Sequence, residues 1–126
     1  MQRLLLDTHA LIWWFAESEK LKRYAYEAIT NSENEVFVSA ISGLEIAIKS
    51  SLGKLKGPNS LGAMVEEAGF THLPVTFFHG EQAGHLPLYH RDPFDRILVA
   101  QAQVEKLILI TRDSQIMQYD VSIIEA

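Results

Sequence analysis

The 126 residues read as one α/β domain, a mostly parallel sheet of four to five strands with helices on both faces. Three observations predict it. Short continuous apolar runs, Leu4 to Leu6, Val36 to Val38 and Leu107 to Ile110, have the composition of strands buried on both sides. Helical patterns stand between them, so the elements run βααβααβαβαβ. The length suits a single core, and no linker, internal repeat or low-complexity tract divides it.

Taken in order, residues 1–6 form the first strand. Ala10, Leu11, Trp13, Trp14 and Phe15 make a short apolar helix whose tryptophans suit a core or an interface better than a nucleobase platform. Ser18 is placed to cap a second helix over 19–29, with Leu21, Ala25, Ala28 and Ile29 on one face. Lys20, Lys22 and Arg23 lie at the wrong end for its dipole, as a solvated face or a phosphate contact. A polar turn leads to a strand over 35–38, and Ser39 caps a helix from 40 to about 52. Residues 53–58 close that helix with Lys54, Lys56 and the loop signal Gly57-Pro58. A helix over 60–69 stops at Gly69, and Pro74 marks 70–75 as an edge strand or strand end. Thr76 caps a short helix reaching Leu86, and 87–90 is loop. Asp92-Pro93-Phe94-Asp95 opens the clearest helix, with proline at its first position and Asp92 as the cap. Lys106 ends it. A strand over 107–110, a short helix over 114–119 and a strand over 121–124 complete the chain.

Without cysteine there is no disulfide framework, thiol catalysis or thiolate zinc site. No apolar run approaches the ~18 residues of a membrane span. The first apolar run is too short for a signal peptide and Asp7 interrupts it, so a soluble cytoplasmic protein is expected. A net charge of −5 argues against a polyanion partner unless the sixteen acids gather at a bound cation.

Four acids stand at positions that suit a site. Asp7 and Asp113 each end an apolar strand and begin a helix. In a parallel sheet both carboxylates rise at the carboxyl edge, where open α/β sheets bind ligands. Each also serves as a plain helix cap, worth about 1 kcal/mol. Asp92 and Asp95 suit an acidic capping box, although a first-turn Asp95 can instead point over the strand ends. Glu45 falls inside the apolar stripe Ile41, Leu44, Ile48 and Leu52, where a carboxylate is costly without a partner. Lys49, four residues on, offers one.

Carboxylates gathered at one edge repel one another and have raised pKa values unless a cation neutralises them. Oxygen donors without sulfur point to Mg²⁺, with Mn²⁺ as a substitute. Such a cation lowers the pKa of water, orients it for in-line attack and stabilises a leaving oxygen, which is the chemistry of phosphodiester hydrolysis. Arg91, Arg96, Arg112, Lys49, Lys54 and Lys56 remain to hold a phosphate backbone.

Asp7-Thr8-His9-Ala10-Leu11, Glu45 within the segment from Ser39 to Ile46, the run from His90 to Ala102 and Thr111-Arg112-Asp113 resemble the successive motifs of PIN-domain nucleases. Within these the chain is most similar to the VapC-type toxins of type II toxin–antitoxin systems. The resemblance implies a three-layer αβα PIN-like domain and an acidic quartet of Asp7, Glu45, Asp95 and Asp113. Asp7 and Asp95 would be direct metal ligands, and Thr8 and Thr111 would orient carboxylates or water. It also implies metal-dependent cleavage of RNA, a homodimer and a cognate antitoxin. The cluster Trp13, Trp14 and Phe15 is a candidate surface for the last two.

The five histidines lack a helical metal-binding spacing, so His9 and His90 suit packing or surface roles better than contact with substrate. A receiver domain would want paired acids after the first strand and a late lysine, where this chain has Leu6 before Asp7 and Thr111-Arg112-Asp113. A haloacid dehalogenase would need an acid at His9. A non-catalytic binding module on the same fold explains the aspartates as caps but has no use for Glu45.

Overall fold

The computed structural model describes residues 1–53 and 60–126, so Lys54, Lys56 and the Gly57-Pro58 loop lie outside the described residues. Strand β1 (Arg3–Leu6) occupies the centre of a parallel sheet. The others are β2 (Glu35–Ser39), β3 (Thr71–Leu73), β4 (Ile108–Thr111) and β5 (Ile123–Glu125), in the order β3-β2-β1-β4-β5. Leu5 is in register with Phe37 on one side and Leu109 on the other. Side chains alternate across a strand. Leu4 and Leu6 therefore enter one core, with Leu11, Ala25, Ile46, Val65 and Ile110, and Leu5 enters the other, with Phe37, Leu98 and Leu109. All three leucines are fully buried, which is why the run is continuously apolar.

Helices α1 (Thr8–Phe15), α2 (Arg23–Thr30) and α4 (Leu61–Glu67) supply the first core. Helices α5 (Phe77–His85) and α6 (Pro93–Glu105) supply the second. Helix α3 (Ala40–Ser51) contributes to both, through Ile46 and Ile41. The result is the expected three-layer α/β arrangement.

Several boundaries differ from the sequence reading. Helix α2 starts at Arg23 because residues 16–18 close α1. Glu17 adopts a left-handed φ of 51°, its N–H reaches the Trp14 carbonyl at 3.2 Å, and the Ser18 N–H reaches the Trp13 carbonyl at 2.9 Å. These satisfy the end of α1 in a Schellman arrangement. Ser18 is spent on the following turn, where its Oγ accepts from the Lys20 N–H. Pro74, which has no N–H to donate, follows directly after β3. The expected helix over 114–119 is a single 3-10 turn, Ile116–Gln118, and the last strand begins later than expected, at Ile123.

The largest difference is the phase of α3. Leu44, Ile48 and Leu52, expected inside, are exposed, whereas Ser42, Glu45 and Ile46 are buried. No loop separates β2 from α3. Ser39 ends the strand and its Oγ caps the helix at the Ile41 N–H, so the strand's direction sets the helix phase rather than the apolar count. Glu45 is buried as expected, but on a different face.

Candidate active site

The order β3-β2-β1-β4-β5 reverses direction at β1, so a crevice opens beyond the carboxyl ends of β1 and β4. Asp7 stands in it. Its N–H extends the sheet to the Ile110 carbonyl at 3.0 Å, and its Oδ1 caps α1 by accepting from the Ala10 N–H at 2.8 Å. It is therefore a cap and a crevice residue at once, and is only 3% exposed. The Thr111 side chain hydrogen-bonds to the same carboxyl, and Thr111 Oγ1 accepts from the Asp113 N–H at 3.1 Å. Thr111 thus ties the two strand-end acids together. Thr8 donates to Ser42 Oγ at 3.0 Å, fixing α1 to the buried face of α3.

Asp92 caps α6, accepting from the Phe94 N–H at 2.8 Å and the Asp95 N–H at 3.4 Å. Asp95 does not complete a capping box. Its Oδ2 lies 3.0 Å from His90 Nε2, and the same nitrogen is 3.1 Å from Asp113 Oδ2. Asp113 Oδ1 accepts from the Gln115 and Ile116 N–H groups, so this residue too is both cap and site member. From α3, Glu45 Oε2 pairs with Lys49 Nζ at 2.6 Å. Glu45 Oε1 is buried without a partner among the described residues.

Burial pushes the Asp7 carboxyl above its ordinary range against the opposing hydrogen bonds of Thr111 and Ala10. Asp95 is pushed up to about 7, first by burial and then by the charge of Asp92; Glu45 and Asp113 add to it and His90 opposes. Burial also raises Asp113, but the Ile116 N–H, the His90 ring and the Gln115 N–H outweigh it, and the net shift is downward. Lys49 is raised, chiefly by its hydrogen bond to Glu45 and also by the charges of Asp92 and Asp95. The acids from four elements therefore lie in one electrostatic field, as Asp113 acts on Asp7 and both Glu45 and Asp113 act on Asp95.

Two residues expected to hold phosphate are committed elsewhere. Arg96 donates to the carbonyls of Ala83, Leu86, Pro87 and His90. Arg112 donates to the Ala126 and Lys20 carbonyls and lies 4.5 Å from the Trp13 ring centroid. Arg96 is a scaffold clamp with few donors left for phosphate, whereas Arg112 commits two of its five N–H groups to carbonyls and its face to Trp13. Arg91 is exposed, and Lys49 is half-buried, paired with Glu45 and within the field of Asp92 and Asp95. Trp14 and Phe15 stack near Phe70 at the edge of the first core, as packing residues. His90, weighed as packing or surface rather than substrate contact, lies against two of the acids, which its place at the head of the motif run before the Asp92 cap did not by itself reveal.

The donor set fits a hard divalent cation. It offers carboxylate oxygens without sulfur, a buried oxygen of Glu45 with no partner among the described residues, and two carboxyl groups whose ionisation burial opposes. Ligand atoms of His90, Asp95 and Asp113 all lie within 4.8 Å of one another.

A parallel α/β domain with an acidic crevice at its switch point is thus defined by its own geometry. The sequence profile of the PIN domain family matches residues 4–122, and the chain belongs to that family. It is 30% identical over 127 residues to Ribonuclease VapC22 of Mycobacterium tuberculosis, covering 94% of this chain and 93% of that protein. The fold is similar to that in the crystal structure of DNA-bound VapBC from Salmonella typhimurium, with a TM-score of 0.71 and 17% identity over 98% of both chains. It is also similar to a toxin–antitoxin complex from Klebsiella pneumoniae, with a TM-score of 0.69 and 22% identity over 97% of this chain and 96% of that one.

Proposed function

We propose that the chain is a metal-dependent endoribonuclease and the toxin of a toxin–antitoxin pair. The observation that supports this reading is the close group of Asp95 and Asp113 at His90, with ligand atoms within 4.8 Å of one another, on which buried Glu45 and Asp7 act electrostatically from outside that group. The relative named as a ribonuclease and the structures named as toxin–antitoxin complexes support the substrate and the partner. Asp7 and Asp95 would hold Mg²⁺ or Mn²⁺ directly, with Glu45 and Asp113 completing the quartet. The chemistry that such an ion supplies when bound is Lewis acidity toward water and a phosphate oxygen. Thr111 orients Asp7 through its side chain, and Thr8 holds α1 against Ser42. Lys49 and Arg91 face the incoming phosphate backbone, screening it from the acids.

The protein works in the cytoplasm on this reading; among the described residues no helix is long and apolar enough to cross a membrane. A homodimer is supported by the large apolar side chains left exposed on α3 and α5, Leu44, Ile48, Phe77 and Phe78. The antitoxin reading is supported by a cavity of about 390 Å³ beside α1, lined by Trp13, Trp14, Leu21 and Tyr26.

The test is incubation of the purified chain, freed of any partner, with structured RNA in Mg²⁺ and in EDTA. Cleavage is expected only with metal, and not for Asp7→Asn or Asp95→Asn. Cutting by both variants without metal overturns the proposal.

A further inference from the structure

We propose that His90 is a positioning residue of the acidic site, a fixed N–H donor to Asp113 that also holds the Asp95 carboxylate against its ring nitrogen, without itself binding the metal. This rests on the metal-nuclease reading above and adds to it a residue outside the acidic quartet.

The ring has both nitrogens engaged. His90 Nδ1 lies 3.1 Å from the main-chain nitrogen of Asp92, which has only a proton to offer, so Nδ1 accepts. The ring proton therefore sits on Nε2. That N–H donates to Asp113 Oδ2 at 3.1 Å, and Asp95 Oδ2 lies 3.0 Å from the same nitrogen as a charge contact. The backbone of His90 is held on both sides. Its N–H donates to Tyr119 Oη at 2.9 Å, and its carbonyl accepts from Arg96 Nη1 at 3.2 Å. The residue is buried, so the ring has no room to choose another partner.

His90, Asp95 and Asp113 have the spacing of a three-residue metal site. Ligation through Nε2 would move the proton to Nδ1 and set it against the Asp92 N–H, donor facing donor. The tautomer imposed by the α6 cap thus excludes His90 as a ligand. It also divides the two acids. Asp113 has both oxygens engaged by protein donors, Oδ1 by Gln115 and Ile116 and Oδ2 by His90. Asp113 contributes charge rather than coordination. Asp95 Oδ2 rests against His90 Nε2 at 3.0 Å, held by charge, which leaves Oδ1 for the ion. Partners of this kind, one bond behind a ligand, typically change metal affinity by about 10- to 100-fold when removed.

The experiment titrates the intact chain with Mn²⁺ alone, followed by calorimetry and by electron spin-echo spectroscopy, and compares His90→Asn with His90→Gln. Asparagine keeps an acceptor near Nδ1 and removes the distal donor; glutamine places an amide N–H near Nε2. His90→Asn is expected to weaken Mn²⁺ binding by about tenfold or more with an unchanged melting temperature. Its RNA cleavage is expected to lose kcat at constant KM. His90→Gln is expected to recover most of both. The wild-type Mn²⁺ spectrum is expected to lack imidazole nitrogen coupling. Such coupling, or wild-type Mn²⁺ affinity in His90→Asn, overturns the proposal. Binding that depends on His90 in a chain that cuts no RNA upholds it and overturns the nuclease reading alone. A wild type that binds no Mn²⁺ overturns both.

Discussion

Asp7 carries two duties that pull against each other. Its Oδ1 caps α1, which favours folding, while burial of its charge opposes folding. Asparagine keeps the cap oxygen and removes the charge. In EDTA at pH 7.5, Asp7→Asn is therefore expected to melt several degrees above the wild type while losing cleavage, the stability–activity trade of a strained site. A lower melting temperature would show that the carboxylate is not strained. Asp7 and Asp95 together set a pH dependence. Both hold their protons to higher pH in the folded chain than in the unfolded one, Asp95 to about 7. Between pH 4 and 7 the folded state binds more protons, so metal-free stability falls as pH rises through that window. Asp113 is shifted the other way and loses its contribution only as pH falls through the acid range. Urea unfolding in EDTA is expected to give a lower midpoint at pH 7 than at pH 4.5, with a smaller drop in Asp95→Asn. Millimolar Mg²⁺ is expected to remove the drop. The four acids of the proposed site drew attention in the sequence because each stands at an element end or on an unexpected helix face. The role of His90 was not legible, because it comes from two carboxylates that lie 5 and 23 positions away in the chain.

Element ends carry more of the architecture than the hydrophobic pattern suggested. Glu17 closes α1 at φ 51°, a conformation that costs a non-glycine residue roughly 1 kcal/mol. Glu17→Gly is expected to raise stability by about 0.5–1 kcal/mol in urea titrations, and a loss would show that the Glu17 side chain contributes contacts of its own. Arg96 ties the end of α5 and the loop after it onto α6. It binds the Leu86 carbonyl at the C-cap of α5 and the Ala83 carbonyl, which also accepts a long bond from the Leu86 N–H at 3.4 Å. Lysine cannot span these acceptors with a single ammonium group, so Arg96→Lys is expected to cost on the order of 3 kcal/mol. Cleavage by the folded fraction should persist, since the guanidinium is not facing substrate. Helix α3 shows where periodicity misleads. Its apolar count favours Leu44 and Ile48, yet the junction at Ser39 buries Ser42 and Glu45 instead.

Across the whole molecule, one central strand serves both cores and the site. Leu6 is fully buried in β1 and stands directly before Asp7. An unpaired carboxylate there would cost several kcal/mol against a total stability of about 5–15 kcal/mol. Leu6→Asp is expected to yield no cooperative unfolding transition, and a soluble variant that melts sharply would contradict the two-sided burial of β1. The α/β class, the parallel strands and the acids at their ends follow from local information: continuous apolar runs, caps, and a proline at the first turn of α6. Folding had to supply what depends on neighbours distant in the chain. The strand order brings Asp113 beside Asp7, the β2–α3 junction turns Glu45 inward, and the cap at Asp92 orients His90 between two acids. Arg96 and Arg112, legible only as positive charges, proved to be clamps on main-chain carbonyls. A one-dimensional pattern records which side chains seek burial or water, but not which partner is within 3 Å, and that distance decides between a structural and a chemical role.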